Sequence, residues 1–276
     1  MTENEPVREI APAKINLTLH VTGQRPDGYH LLDSLVVFAD FGDRLEIRRA
    51  EQSSLRVSGP RAQGVPADAG NLAVRAAALM DWPVHIDLQK HLPSAAGIGG
   101  GSADAAAVLR GIHRLSGRPL PNDSHRLGAD VPVCLTSRAA RMQGLGEDVI
   151  PLPALPALHA VLVNPGVEVP TPRVFAHLTR KENPAMPRTL PVWTTADNLA
   201  AWLAAMRNDL EQPAIRLAPV IAEVLTTLKA DPECVLARMS GSGATCFALT
   251  DTRAAAEAMT RRLARPGWWV QPVTLS

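Results

Sequence analysis

Leu92-Pro93-Ser94-Ala95-Ala96-Gly97-Ile98-Gly99-Gly100-Gly101-Ser102-Ala103 sets four glycines ahead of a segment in which Val108, Leu109, Ile112 and Leu115 fall on one helical face. Glycines without side chains let a backbone wrap closely round a ligand, with its N–H groups pointing inward. The helix N-terminus adds a positive partial charge, so the segment has the make-up of an anion site, most often for phosphate. Ser102 precedes an alanine-rich run and is expected to cap the helix. A mobile surface turn is the plain alternative. A dinucleotide fingerprint is another, but Ser102 occupies its third glycine position and Asp123 follows a polar loop rather than a strand. A P-loop is excluded, because no Gly-Lys-Ser/Thr follows the glycines.

Outward from this loop, Ile15, Leu17, Leu19 and Val21 alternate with polar residues, which predicts a strand over 14–21 with Lys14 and Asn16 on its polar side. A turn follows at Gln24-Arg25-Pro26-Asp27-Gly28. Strands are expected at 31–38, 45–49, 84–88, 140–143 and 159–163, and a helix at 72–80. The proline-rich run Pro151–Pro156 marks a boundary, giving domains 1–153 and 154–276. Beyond it come helices at 172–178, from Asn198 and at 219–229, then strand 235–239, a Gly/Ser turn, strand 245–249, helix 253–263 and strand 268–273. Hairpin-like neighbours mixed with helices favour α+β over a doubly wound parallel sheet.

Composition narrows the function classes. The charge is near balance, 28 basic against 27 acidic residues, which argues against a duplex nucleic-acid binder. Cys134, Cys234 and Cys246 have neither zinc nor redox spacing and read as reduced thiols of a cytoplasmic protein. Residues 1–8 are polar, unlike a signal peptide, and the apolar run at 152–163 is broken by prolines and too short to span a bilayer, so no membrane partner is expected.

Other constellations have two readings each. Lys14 is either a solvated strand residue or a functional cation. Asp130, in Gly128-Ala129-Asp130-Val131-Pro132, is either a turn or capping aspartate or a reactive carboxylate; Pro132 is expected to hold Val131 extended. Met239–Cys246 is a tight hairpin, or a segment that comes close to a ligand or to the first glycine loop. Tyr29-His30 is structural, or offers an aromatic face to a nucleobase.

In this order the segments resemble the GHMP kinases, the galactokinase, homoserine kinase, mevalonate kinase and phosphomevalonate kinase superfamily. Pro93–Ala103 is similar to its phosphate motif P-x-x-x-G-[IL]-G-[GS]-[GS]-S-[AS], and Met239–Cys246 to its C-terminal glycine motif. Ala11–Leu17, Arg25–His30, Gly128–Pro132, Val169–Pro172 and Asn208–Glu211 resemble the branch that acts on a cytidine diphosphate derivative of methylerythritol. Ser102-Ala103-Asp104 stands where many relatives carry Ser-Ser-Asn, the run between Gly117 and Gly128 is short, and Pro184–Thr195 matches poorly.

The resemblance implies a two-domain α+β kinase with its active site in the inter-domain cleft. ATP would lie on the backbone of Pro93, Ser94, Ala95, Ala96, Gly97, Ile98, Gly99, Gly100, Gly101, Ser102 and Ala103, with Mg2+ near Ser102. Asp130 would take the proton from the acceptor hydroxyl, and Lys14 beside it would stabilise developing charge. Asn16 and His30 would orient the cytidine-bearing substrate, Tyr29 and Phe175 would stack on its base, and Thr171 would reach its diphosphate. The expected assembly is a monomer or homodimer.

Overall fold

The computed structural model describes residues 5–276, so the first four residues of the polar start lie outside it. In chain order the elements are β1 (Val7–Asn16), β2 (His20–Gln24), β3 (His30–Arg49), β4 (Ser54–Ser58), α1 (Leu72–Leu79), β5 (Val84–Gln89) and α2 (Gly100–Ser116). A 3-10 turn (Ser124–Leu127) precedes α3 (Val131–Thr136), β6 (Ala140–Gly144), β7 (Asp148–Pro151), β8 (Leu158–Asn164) and α4 (Thr171–Ala176). Then come α5 (Ala196–Ala204), α6 (Glu211–Leu217), α7 (Val220–Ala230), β9 (Leu236–Met239), β10 (Cys246–Thr250), α8 (Arg253–Leu263) and β11 (Trp269–Leu275).

Two compact units interleave along the chain. The first holds the described residues through Lys14, then Phe41–Ser94 and Gly99–Ser137; the second holds Ile15–Asp40, Ala95–Ile98 and Arg138–Ser276. The division expected at 153/154 is a single cut, whereas these units exchange chain several times.

In the first unit, the second half of β3 runs antiparallel to β5, from Arg44↔Gln89 to Arg49↔Val84, and β4 lies parallel to β5. Alanines make α2 slim: Ala103, Ala105, Ala106 and Ala107 are buried with Val108, Leu109 and Ile112. Gly111 lies directly under the Ile47 side chain, so the helix packs close to β3 without a side chain between. Asn71 caps α1 by accepting from Ala73 N–H at 2.9 Å. Here α1 packs on α2, and α2 on α3.

In the second unit, β8 lies between β11 and β10, and β9 pairs the far side of β10, all antiparallel. The first half of β3 pairs β2 and β6, with β7 outside β6. β11 meets β3 at Leu275↔Ala39. Helices α7 and α8 pack on this sheet, and their buried faces (Ile221, Val224, Leu228, Ala256, Met259, Leu263) join Val161, Val163 and Ala248 in one core. Apolar burial of this kind is the main stabilising term of the fold.

Most elements fall where the sequence pattern puts them, and the α+β class holds. Several differ. The predicted strand 14–21 is broken: β1 ends at Asn16 and β2 starts at His20, because Thr18 turns its hydroxyl to Leu35 N–H at 2.9 Å and its carbonyl to Ser34. The strands at 31–38 and 45–49 are one continuous β3, since Gly42 allows close passage along Ala11–Pro12 without interrupting it. β4, β7 and α6 are short elements that the pattern does not announce; β7 ends on Pro151 and α6 holds Pro213.

Candidate active site

The N-cap of α2 is Gly99, in the left-handed region at φ 65°, and Ser102 lies inside the first turn rather than at the cap. The correction has a local cause: the helix starts three residues earlier than the alanine run implied, after a cap residue that tolerates positive φ. No side chain caps α2 and no acidic residue occupies its first turn. The first backbone N–H groups of a helix have no intrahelical acceptor, and here no acidic side chain of the first turn meets them.

Beside this N-terminus lies an ion pair. Lys14 Nζ is 2.7 Å from Asp130 Oδ1. A Cβ at Gly99 would stand 3.3 Å from the Lys14 side chain and 3.7 Å from Asp130 Oδ2. Lys14 is buried at 5% exposure, which rules out the solvated-strand reading. Asp130 occupies the N-cap position of α3 but makes no capping bond, so its carboxylate is not spent on the helix. Val131 is the first residue of α3 rather than extended; Pro132 is accommodated in the first helical turn, where its missing N–H leaves no bond unmade. Ser102 Oγ points toward Gly128, 3.5 Å from where a Cβ there would stand.

The middle of the glycine loop belongs to the second unit. There Gly97 has φ +72°, and a Cβ on it would stand 2.5 Å from Ser240 O and 2.7 Å from Gly243 N. Ser240 Oγ donates to Gly97 O at 3.1 Å, and Thr245 N–H donates to Ala96 O at 3.1 Å. Of the readings for Met239–Cys246, two hold together: it is the turn of the β9–β10 hairpin, with Met239 opposite Cys246, and it comes close to the first loop. Asn208 Nδ2 fixes the second loop by donating to Met239 O and Gly241 O, each at 2.8 Å. Thr171 and Ser242 share a hydroxyl–hydroxyl bond of 2.7 Å.

Asn16 donates from Nδ2 to Ser34 Oγ at 2.8 Å, and its Oδ1 is buried without a partner. His30 stacks on Phe175 with centroids 4.7 Å apart and planes at 21°. Burial, then the nearby Lys181 charge, pushes the His30 pKa down, and its Nε2 is buried without a partner. Tyr29 is exposed at 63%. The ring facing Phe175 is therefore that of His30.

Sequence reasoning missed a buried cluster in the first unit. Lys90 Nζ donates to Asp43 Oδ2 and, at 2.7 Å, to Asp104 Oδ2. Burial raises the Asp104 pKa to about 7 against the lowering by Lys90, with Asp43 adding to the rise. It also missed the anchoring roles of Ser240 and Asn208; the only signal for them was membership of the two quoted motifs. Among the described residues no group of three or more His, Cys, Asp or Glu could hold a metal, and no helix is long and apolar enough to cross a membrane. Burial pushes the thiols of Cys134, Cys234 and Cys246 up, which keeps them protonated.

The model of the GHMP kinases N terminal domain matches residues 71–138, and that of the GHMP kinases C terminal matches 193–267. A 4-diphosphocytidyl-2-C-methyl-D-erythritol kinase of Dinoroseobacter shibae is 58% identical over 99% of this chain and 96% of its own. One from Cereibacter sphaeroides is 60% identical over 97% and 98%. The crystal structure of a 4-(cytidine 5'-diphospho)-2C-methyl-D-erythritol kinase, 35% identical, superposes with a TM-score of 0.80 over 98% of this chain and 99% of that one. A homoserine kinase from Cytophaga hutchinsonii, 18% identical with a TM-score of 0.64 over 98% and 95%, shares the fold. This chain belongs to the 4-diphosphocytidyl-2-C-methyl-D-erythritol kinase family.

Proposed function

We propose that this protein transfers the γ-phosphoryl group of ATP to the 2-hydroxyl of 4-diphosphocytidyl-2-C-methyl-D-erythritol, a step of non-mevalonate isoprenoid precursor synthesis. The observation that carries the proposal is the Lys14–Asp130 pair at the uncapped N-terminus of α2. Phosphoryl transfer asks mainly for positioning and charge neutralisation. The backbone of Pro93–Ala103 holds the ATP phosphates, its donors being the N–H groups other than those of Pro93, which has none, and Ala103, which donates to Gly99 O at 2.8 Å. The carboxylate of Asp130 accepts the hydroxyl proton as the acceptor oxygen attacks phosphorus and the bond to the ADP oxygen breaks. Lys14, held against Asp130, offsets the charge that spreads over the transferred group.

Mg2+ is the expected metal. It keeps most of its waters and takes one or two protein oxygens together with nucleotide phosphates, so a hydroxyl at the start of α2 suits it. Ser102 would hold it, and the ion would neutralise phosphate charge. On the acceptor side, His30 and Phe175 form an aromatic platform, and Tyr29 is exposed next to it in sequence, free to cover a cytosine. The unpartnered Asn16 Oδ1 and His30 Nε2 are assigned to polar atoms of the substrate. Thr171, on the second glycine loop through Ser242, is assigned to the diphosphate. The two family models fall on either side of 153/154, which supports 1–153 and 154–276 as the family halves. A cytoplasmic monomer or homodimer without nucleic-acid or membrane partners completes the reading.

The test is ADP release from Mg-ATP with 4-diphosphocytidyl-methylerythritol, mevalonate, phosphomevalonate, homoserine and galactose. Turnover with the cytidyl acceptor alone is expected. Turnover only with another acceptor would overturn the substrate assignment, and ATP binding without turnover on any would overturn the reaction.

A further inference from the structure

Both ends of the glycine loop's first-unit portion are tied to one buried ammonium. Lys90 follows the end of β5 and is 4% exposed; Asp43, on β3, is fully buried; Asp104, in α2, is 3% exposed. Asp43 Oδ1 accepts from the backbone N–H of His91 at 2.5 Å and of Leu92 at 2.9 Å, the two residues that lead into Pro93. Its Oδ2 accepts from Lys90 Nζ, and the same ammonium reaches Asp104 at 2.7 Å, one turn into the helix that leaves the loop. Lys90 Nζ also lies 3.8 Å from where a Cβ of Gly100 would stand. The Lys90 backbone is held independently, donating to Ser58 O at 2.8 Å and accepting from Arg61 N–H at 3.1 Å. The cation therefore sits on a fixed base.

A purely stabilising role explains this poorly. A buried ion pair is weak evidence for stability, because removing charges from water costs about as much as their attraction returns. Here one cation serves two carboxylates, and Asp104 Oδ1 is left buried without a partner. What the arrangement does accomplish is geometric: it sets the distance between the chain entering the loop and the helix start leaving it.

We infer that Lys90, Asp43 and Asp104 are positioning residues for the nucleotide, fixing the two ends of the Pro93–Ala103 loop so that its N–H groups converge on the ATP phosphates. None of the three is placed on the substrate or on the transferred group. The inference rests on the ATP-dependent reading above and deepens it.

The experiment measures kcat, KM for ATP and, by calorimetry, affinity for the cytidyl acceptor in wild type, Lys90→Met, Asp104→Leu and Asp104→Asn, with circular dichroism as a check of folding. Misplacing a reacting group by about 1 Å can cost about a hundredfold in rate. Lys90→Met and Asp104→Leu are expected to lose about ten- to a hundredfold in kcat/KM for ATP while acceptor affinity stays within about twofold. Asp104→Asn keeps an oxygen acceptor for Lys90 and is expected to restore KM for ATP to near the wild-type value. Folded Lys90→Met with unchanged ATP kinetics overturns the inference. So does an equal loss of ATP and acceptor affinity, which a merely structural role predicts. Where Lys90→Met fails to fold, Asp104→Leu decides by the same criteria, since Lys90 then keeps Asp43. Wild type that binds ATP but uses a different acceptor leaves these ATP readouts decisive. Wild type that binds no ATP overturns the kinase reading and this inference together.

Discussion

Lys14 and Asp130 share their ion pair unequally: the lysine side chain is 6% exposed, and the aspartate side chain 32%. The ammonium is committed to the protein, while the carboxylate keeps a face for another molecule. Asp130→Ala is expected to lower kcat by about a hundred- to ten-thousandfold, the usual loss for a general base, with ATP affinity largely kept. Lys14→Met should lose a similar factor. The two should differ in stability, since Asp130→Ala strands a buried cation whereas Lys14→Met leaves a carboxylate that water can reach. Steady-state kinetics and thermal melts check both parts; full activity in either variant would remove that residue from the chemistry.

The His30–Phe175 stack predicts a division between the two substrates. Phe175→Ala removes the ring under His30, and aromatic pairs are worth about 0.5–1.5 kcal/mol beyond burial. Its KM for the cytidyl acceptor should rise about tenfold, with KM for ATP nearly unchanged. Tyr29→Ala should show the same split with little effect on stability, because the ring is exposed. An acceptor constant that does not move in either variant would refute base stacking at this face.

His20 predicts how the protein responds to acid. Its Nδ1 lies 3.1 Å from Pro184 O, a pure acceptor, so Nδ1 carries the proton and the buried, unpartnered Nε2 is bare. Burial first, then the Arg207 charge, lowers its pKa from the ordinary 6.5. Between that depressed value and 6.5 the unfolded chain binds more protons, so stability rises with pH across this window, and the contribution is lost as pH falls through it. Urea midpoints at about pH 7.5 and 5.5 should fall more for wild type than for His20→Asn, which keeps a donor for Pro184 but cannot protonate. Equal slopes would exclude His20 as the source.

Gly97 is where the two glycine loops touch, and its space is already taken by backbone. Gly97→Ala combines overpacking, about 1–3 kcal/mol, with a left-handed residue, about 1–2 kcal/mol. Gly64 also has positive φ but meets nothing within 4 Å, so Gly64→Ala carries only the second cost. Melting temperatures should rank wild type, Gly64→Ala, Gly97→Ala in descending order, and only the last should lose ATP affinity. A Gly97→Ala protein as stable as Gly64→Ala would contradict the close approach.

The Arg141 guanidinium makes a two-bond clamp on Asp33, each bond 2.7 Å, and also donates to the carbonyls of Met186, Pro187 and Arg188. Asp33 Oδ2 also accepts from Met186 N–H at 2.8 Å. Asp33→Ala leaves a buried guanidinium without its counter-ion, a loss of about 3–5 kcal/mol. Limited proteolysis should then cut near 186–188 before other sites. An unchanged cleavage order would show that the segment is held by other contacts.

Local patterns announced much of this molecule. The strands expected at 159–163 and 245–249 match β8 and β10, the helical face gave α2, and Ala11–Leu17 and Gly128–Pro132 put Lys14 and Asp130 forward before any geometry was known. What stayed hidden was assembled from distant residues. Asp43 lies on β3, Lys90 just after β5 and Asp104 in α2, and Asp33 meets Arg141 across more than a hundred positions, so no local pattern brings these partners together. The Ser102 cap was misjudged for a different reason: serine before alanines is a sound cap signal, but a left-handed glycine ahead of it served instead.

The interleaved units carry a consequence for how the chain is made. Everything in the first unit has been synthesised by Ser137, so it can fold while the rest is still being added. The second unit begins earlier, at Ile15, yet its sheet waits for β10 to flank β8 and for β11 to bring Leu275 opposite Ala39. During translation the early strands β2 and the first half of β3 therefore stand without their late neighbours, their apolar residues Leu35, Val36 and Val37 in search of cover. The vulnerable period of this protein's biogenesis is the interval between those two ends of one unit, and the segment at risk is the one that carries His30.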